Sequence, residues 1–340
     1  DAKYCSITLK PVIKWTLPHR PFRELGKKTT STQSTHYDAI EFRLFRIHYC
    51  STTTHVARRT MKIIFLVKDS HLMRYYVSRV HDRFPVSLII QEQTSRPASP
   101  VQGIVQRIRT KGPSNIAHAI IRRFETDPQE AINQRQKNEI LEILGPQSAA
   151  FPPDIPKLAI ENINDVAVQQ RLVEESPDVV LVQGTSIVKD ATLPEGAFNF
   201  NMHAGLSPYY RGGASVQWAL INWDPFNIGV TLHELTEQSD AGAILAQHRV
   251  IPEPHDTSTS ITLKLTKAGT DVALRLLEKH ARGESIQRHP QDLTVGKCYF
   301  ARHWHLELKR YTATIDREGM IPKMLKRPST RVRQPIIELD

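Results

Sequence analysis

Met61-Lys62-Ile63-Ile64-Phe65-Leu66-Val67 is the stretch on which the fold turns. Five large apolar residues in a row, with no polar alternation, describe a strand buried on both faces, as in a parallel sheet covered by helices on either side. Outward from it the chain alternates. Residues 70–82 have helical spacing, and Pro85-Val86-Ser87-Leu88-Ile89-Ile90 supplies a second apolar strand. A helical insertion occupies about residues 100–150. Within it, residues 114–124 place Ile116, Ile120, Ile121 and Phe124 on one face. A second helix has Asp127 as its cap, Pro128 in its first turn and Gly145 at its stop, with Ile132, Ile140, Leu141, Ile143 and Leu144 to bury. Leu158-Ala159-Ile160, residues 178–182 and residues 198–201 read as further strands, with a helix over 164–175 between the first two. A helix near 214–222 and strands near 228–234 and 243–251 come next. From Thr257 a long helix carries Ile261, Leu265, Ala268, Val272 and Leu276 at spacings of three and four, and ends near Gly283. Alternating β and α units with apolar strands specify an α/β fold with a doubly wound, mostly parallel sheet. Residues 286–340 are mixed and basic, and read as a small C-terminal subdomain or tail with one or two strands over residues 295–300.

The bulk properties exclude several classes. Hydrophobic residues make up 40% of the 340 and charged residues 24%, near the globular average, which excludes wholesale disorder. No apolar run approaches the ~18 residues of a membrane-spanning helix, so a membrane partner is not expected. Three cysteines (Cys5, Cys50, Cys298) with no CxxC pair exclude a disulfide framework and a structural zinc site. A reducing, cytoplasmic setting is expected. The net charge of +10 is unevenly spread: the first sixty residues hold eleven Lys and Arg against four acids, and carry +7 of it. The body is nearly balanced, so the charge says little about its partner. Residues 1–60 also hold a Ser/Thr cluster and no sustained periodicity, and read as a basic extension outside the catalytic domain at 61–285. It fits a targeting extension, which would place the protein in an organelle, a stretch outside the native product, or an accessory arm.

The chemistry belongs beyond the carboxyl ends of the strands, where open parallel sheets bind ligands. No GxGxxG follows the first strand: Val67 leads into Lys68-Asp69-Ser70, which removes most of the support for a nicotinamide dehydrogenase. Seven of the fifteen glycines fall between residues 184 and 242, the mark of loops that approach a ligand closely. In that window Asn201 and His203, two apart on one strand, project to the same face, and Asp240 sits in a loop before the strand that begins near Ala243. An amide, an imidazole and a carboxylate meeting at strand ends can run acyl transfer: the amide donates to the developing oxyanion, the imidazole moves a proton, and the carboxylate fixes its protonation state. No serine or cysteine stands in a nucleophile elbow, so the attacking group comes from the substrate. On composition alone, a strand-end histidine and asparagine capping loops is the favoured bland alternative.

Residues 201–213, Asn-Met-His-Ala-Gly-Leu-Ser-Pro-Tyr-Tyr-Arg-Gly-Gly, resemble the Asn-x-His…Leu-x-Pro-x-x-Arg-Gly segment of the formyltransferases that use 10-formyltetrahydrofolate. His233 followed by Asp240-Ala241-Gly242-Ala243-Ile244-Leu245 is similar to the same family's His…Asp-x-Gly-x-Ile-Leu segment. The resemblance covers about residues 61–285, strongest over 178–247. It implies a Rossmann-like domain with a seven-stranded sheet, 10-formyltetrahydrofolate as co-substrate and no metal. It further implies Asn201, His203 and Asp240 as catalytic residues. Ser186, Ile187 and Val188 would form one wall of a pterin pocket, the latter two through backbone groups, and Thr236, Glu237, Gln238 and Ser239 the other. Arg211, Gly212 and His233 would lie on the acceptor side.

Rival readings remain open at this stage. His203, His233 and Asp240 could form a two-histidine, one-carboxylate metal site, and His303-Trp304-His305 reads as a solvated strand with both imidazoles on one side. Tyr209 and Tyr210 read as loop packing. A basic nucleic-acid-binding module draws support only from the first sixty residues, and a hydrolase that releases formate would keep the fold. Among acceptors, Lys68-Asp69-Ser70 departs from the Gly-Ser-Asn loop of the glycinamide ribonucleotide members. About 55 residues after Gly283 are too few for the C-terminal barrel of the methionyl-tRNA members, so an amine on a sugar nucleotide is expected. Nucleic acid is expected only as a tRNA acceptor, and homodimerisation is left open.

Overall fold

The computed structural model describes residues 61–93, 129–300, 303–304, 306–327 and 333–339. The helix expected at 114–124, the Asp127 cap and the basic extension lie outside them. The first strand, β1 (Ile63–Val67), is wholly buried and is an interior strand, third in order, of a seven-stranded sheet. Around it run α1 (His71–His81), β2 (Val86–Glu92), α2 (Gln129–Leu144), β3 (Lys157–Ile160), α3 (Val166–Glu175), β4 (Val179–Gln183) and β5 (Phe198–His203). The strand β6 (Tyr210–Gly212), α4 (Ser215–Ile221), β7 (Gly229–His233), β8 (Ile244–Arg249) and α5 (Ser258–Ala281) follow.

The sheet order is β3-β2-β1-β4-β5-β7-β8; the first five strands are parallel, and β7 is antiparallel to both of its neighbours. The order reverses between β1 and β4, which makes the crevice beyond their carboxyl ends the switch point. Alternate strand residues feed two cores. Ile63, Phe65, Leu181 and Phe200 pack with α1 and α5, while Ile64, Leu66, Val180 and Val182 pack with Val168 and Leu172 of α3. Such double-sided burial is why the strands read as unbroken apolar runs.

Helix ends are set locally. Ser70 caps α1 through the Met73 N–H, and Thr257 and Ser260 exchange hydrogen bonds in a capping box at the start of α5. Along α2, Leu144 is buried with Ile140 and Ile143 beside it, but Leu141, expected inward, is exposed. One helical step of about 100° carries it off the narrow face that meets its neighbours.

Beyond residue 286 the chain forms β9 (Lys297–Tyr299), α6 (Leu306–Arg317) and α7 (Ile321–Lys326). Pairing of β9 with β6 is parallel, with Cys298 opposite Arg211. Ile315, Ile321 and Met324 join the core on the α5 side of the sheet. His303 is not on a strand, as its sequence suggested: its N–H donates to the Phe300 carbonyl and its Nδ1 accepts the Phe300 N–H, which closes a tight turn. His305 lies outside the described residues. No helix among the described residues is long and apolar enough to cross a membrane.

Candidate active site

Asn201 and His203 leave β5 on the face opposite Phe198, Phe200 and Met202, which pack on the α5 side. Antiparallel pairing with β7 sets Asn201 directly across from His233. Asp240 arrives from the turn between β7 and β8, in the left-handed conformation at φ 48°. Gly242 lets that turn close, because a Cβ there would stand 1.8 Å from the Glu234 carbonyl oxygen. The two quoted segments therefore meet.

The Asp240 carboxylate is their hub. Its Oδ2 accepts the Gly212 N–H at 2.7 Å and lies 3.5 Å from His203 Nδ1. Its Oδ1 accepts Asn201 Nδ2–H at 3.3 Å and lies 3.3 Å from His233 Nε2. Burial alone would raise the carboxyl's pKa. The charge of His203, the hydrogen bond and charge of His233 and the Gly212 N–H outweigh it and hold the group well below the usual carboxylate range, so it is an anion at neutral pH.

Backbone carbonyls orient both rings. His203 Nε2–H donates to the Tyr210 carbonyl at 2.8 Å, which turns Nδ1 toward Asp240. His233 Nδ1–H donates to the Glu234 carbonyl at 2.8 Å, which turns Nε2 toward Asn201 Nδ2 at 3.1 Å. The two imidazoles thus present opposite nitrogens to one carboxylate. Among the described residues, only Glu253, His255 and Asp256 bring three metal-type donors within 4.8 Å of one another, and there the Lys264 ammonium sits on Glu253 and Asp256. His203, His233 and Asp240 do not form such a set.

The two expected pterin walls are linked: the Asp190 N–H donates to Glu237 Oε1 at 3.2 Å, and Ser239 Oγ–H reaches Asp240 Oδ2 at 3.3 Å. The loop at residues 184–192 is held from beneath. Glu92, buried at the end of β2, accepts the Ser186 N–H at 2.7 Å and the Ile163 N–H at 3.3 Å, and pairs with Lys68 at 3.2 Å. Burial raises the Glu92 pKa, but the Ser186 N–H first and then Lys68 bring it below its ordinary value. Asn164 donates to the Ile187 carbonyl at 2.9 Å and accepts the Lys189 N–H at 2.8 Å. Val188 is buried, whereas Ile187 is 55% exposed. Thr236 turns its hydroxyl onto the Gln238 carbonyl.

Arg211 is 6% exposed, its Nε is buried without a hydrogen-bond partner, and Nη2 meets only the Leu293 carbonyl, at 3.5 Å. No carboxylate of the described residues pairs with it. A buried guanidinium without an anion is costly. Tyr210 packs, as its sequence suggested: it stacks on Tyr299 and donates to Asp224 at 2.8 Å. Burial, then the Asp224 charge, push its phenol pKa upward and keep it a donor. Sequence reading missed Glu92, Asn164, the Tyr210 carbonyl, the Gly212 N–H and Gln291, whose amide donates to the Asp240 and Gly242 carbonyls. Only Glu92 left a trace, as an acid at the end of an apolar strand.

Fold and site define a doubly wound α/β protein with an amide–imidazole–carboxylate cluster beside its central strands. Residues 102–277, just over half of the chain, match the formyl transferase family, and the chain belongs to it. A methionyl-tRNA formyltransferase of Chlorobium chlorochromatii (strain CaD3) is 29% identical over 160 residues, covering 47% of this chain and 50% of that protein. One from Roseiflexus castenholzii (strain DSM 13941 / HLO8) is 37% identical over 149 residues, covering 43% and 47%. The chain thus spans about half the length of the curated relatives it matches. A sugar N-formyltransferase structure from Shewanella sp. FDAARGOS_354 superimposes with a TM-score of 0.45 at 16% identity, covering 83% of this chain and 99% of that one.

Proposed function

We propose that the chain transfers a formyl group from 10-formyltetrahydrofolate to the primary amine of a small acceptor, of the amino-sugar-nucleotide kind. The meeting of Asn201, His203 and Asp240 around one carboxylate carries the reading. The linked loops at 184–192 and 236–239, with Ile187 facing outward between anchored backbone, suit a flat heterocycle with polar edges. The folate supplies an activated formyl carbon attached to a nitrogen leaving group. Asn201 Nδ2–H and the charge of a protonated His203 stabilise the formyl oxygen as the amine adds and the oxygen gains negative charge. Asp240 stabilises positive charge on His203 and moves the amine's proton toward the departing nitrogen, directly or through water.

Arg211, with Gly212 and His233 beside Asp240, would hold an anionic group of the acceptor. A phosphate at the switch point is disfavoured: beside the end of β1, Arg74 is already paired with Asp69 and Lys68 with Glu92, so both cations are engaged by carboxylates. That weakens the glycinamide ribonucleotide reading. A methionyl-tRNA acceptor is the second reading, favoured by what the curated relatives act on.

The test incubates the full chain with labelled 10-formyltetrahydrofolate and, separately, an amino-sugar nucleotide, methionyl-tRNA, glycinamide ribonucleotide or no amine. Label on the sugar nucleotide is expected. Label on tRNA alone supports the second reading, and free formate without an amine marks a hydrolase. His203→Ala abolishes transfer in every arm; wild-type turnover in that variant refutes the mechanism.

A further inference from the structure

Gln247 lies on β8, the edge strand of the sheet, with its side chain almost wholly buried. The mechanism above gives it no task, yet both ends of its amide are committed. Nε2 donates to the Ser207 carbonyl at 2.6 Å and to Thr231 Oγ1 at 2.9 Å, while Oε1 accepts the Ile337 N–H at 3.0 Å. The Gln247 backbone N–H donates in turn to the Ile337 carbonyl. Thr231, fully buried on β7, is equally committed: its hydroxyl accepts the Ser207 N–H at 3.0 Å and donates to the Gly205 carbonyl at 2.7 Å.

Three of these bonds, to the Ser207 carbonyl, the Ser207 N–H and the Gly205 carbonyl, reach residues 204–210, the loop that joins His203 to Arg211. Within it the Gly205 N–H meets the His203 carbonyl and the Tyr210 N–H meets the Leu206 carbonyl. The loop ends at the carbonyl that holds His203 Nε2. It begins at Gly205, which passes so close to that nitrogen that a Cβ would stand 2.4 Å from it. Loop shape and ring orientation are therefore one geometric problem. The C-terminal segment is anchored independently: Arg249 donates to the Gln334 and Phe226 carbonyls, and Asn227 Oδ1 accepts the Gln334 N–H at 2.8 Å.

We infer that Gln247 and Thr231 are positioning residues for His203, and that the C-terminal segment around Ile337 is part of the same apparatus because it completes the Gln247 amide. Buried hydrogen bonds of this kind cannot be replaced by water, so breaking one frees the loop it holds. The inference relies on formyl transfer only as its assay.

In the full chain, Gln247→Leu and Thr231→Val are expected to lower kcat about ten- to a hundredfold, with KM for donor and acceptor within about twofold. Thr231→Ser, which keeps the hydroxyl, restores kcat. Ile337→Pro removes one N–H at the half-buried end of the relay and gives a smaller loss of the same kind. Combined with Gln247→Leu, that loss is less than additive, because both act through one loop. Wild-type kcat in Gln247→Leu, or a Thr231→Ser variant as slow as Thr231→Val, overturns the inference. Should Gln247→Leu not fold, Ile337→Pro at wild-type kcat overturns it as well. A wild-type chain that transfers no formyl group sinks the proposed function instead, a distinct result.

Discussion

The loop at residues 204–212 turns its polar groups inward, whereas the loop at 184–192 presents an apolar side chain outward. In the first, Thr231, Gln247, the Tyr210 carbonyl and the Gly212 N–H form a closed set of buried bonds around His203 and Asp240. In the second, Glu92 and Asn164 hold the backbone from below and leave Ile187 exposed. The difference teaches which half does what. On the proposed function, proton transfer would need the fixed distances that the first loop's buried bonds provide, and a bound heterocycle would need a face such as the second loop's, fixed by the backbone and open at the side chain.

If that division holds, damage to the first region appears in kcat and damage to the second in KM. Asp240→Asn tests it hardest. Loss of the acid–base group is expected to cut kcat by about 10²–10⁴, with folate binding by titration near wild type; equal loss of both breaks the division. The same variant has a second signature. The folded pKa of Asp240 is depressed, so its stabilising share is present above the unfolded carboxyl value of about 4 and is lost as pH falls through the lower folded value. Thermal melts from pH 6 to pH 3 are expected to fall less steeply in Asp240→Asn than in wild type.

Glu92→Gln comes next. It loses the Lys68 ion pair and weakens a charge-assisted bond to the Ser186 N–H. KM for the folate is expected to rise about tenfold, the equivalent of about 1.4 kcal/mol, with kcat nearly unchanged. A fall in kcat instead would place Glu92 with the catalytic loop. The smallest effect is at Ile187→Ser: an exposed side chain carries little stability, so the melting temperature stays put while KM for the folate rises a few-fold. An unchanged KM would remove that residue from the donor wall.

Much of this was legible before any coordinates. The unbroken run in β1 and the length of α5 followed from apolar spacing, and Asn201 and His203 share a face because strand side chains alternate. What escaped was whatever depends on contacts that apolar spacing does not encode. His303 sits in a turn because it meets the Phe300 backbone. Leu141 is exposed because only one face of α2 is covered. The two helices after residue 300 were not read from the sequence, although Leu308, Tyr311 and Ile315 recur at helical spacing, and Ile315, Ile321 and Met324 are buried only against a core formed upstream.

The sequence by itself determined the alternation of the sheet's seven strands with the helices up to α5, since burial on one or both faces writes a period into the chain. It also determined which residue types stand at the carboxyl end of β5 and in the turn before β8. Tertiary structure alone decided that Asp240 reaches His203, that backbone carbonyls choose which nitrogen each imidazole offers, and that Arg211 is buried without a counter-charge among the described residues. Backbone groups are the same in every residue, so their positions become information only once strand register and turn geometry have placed them.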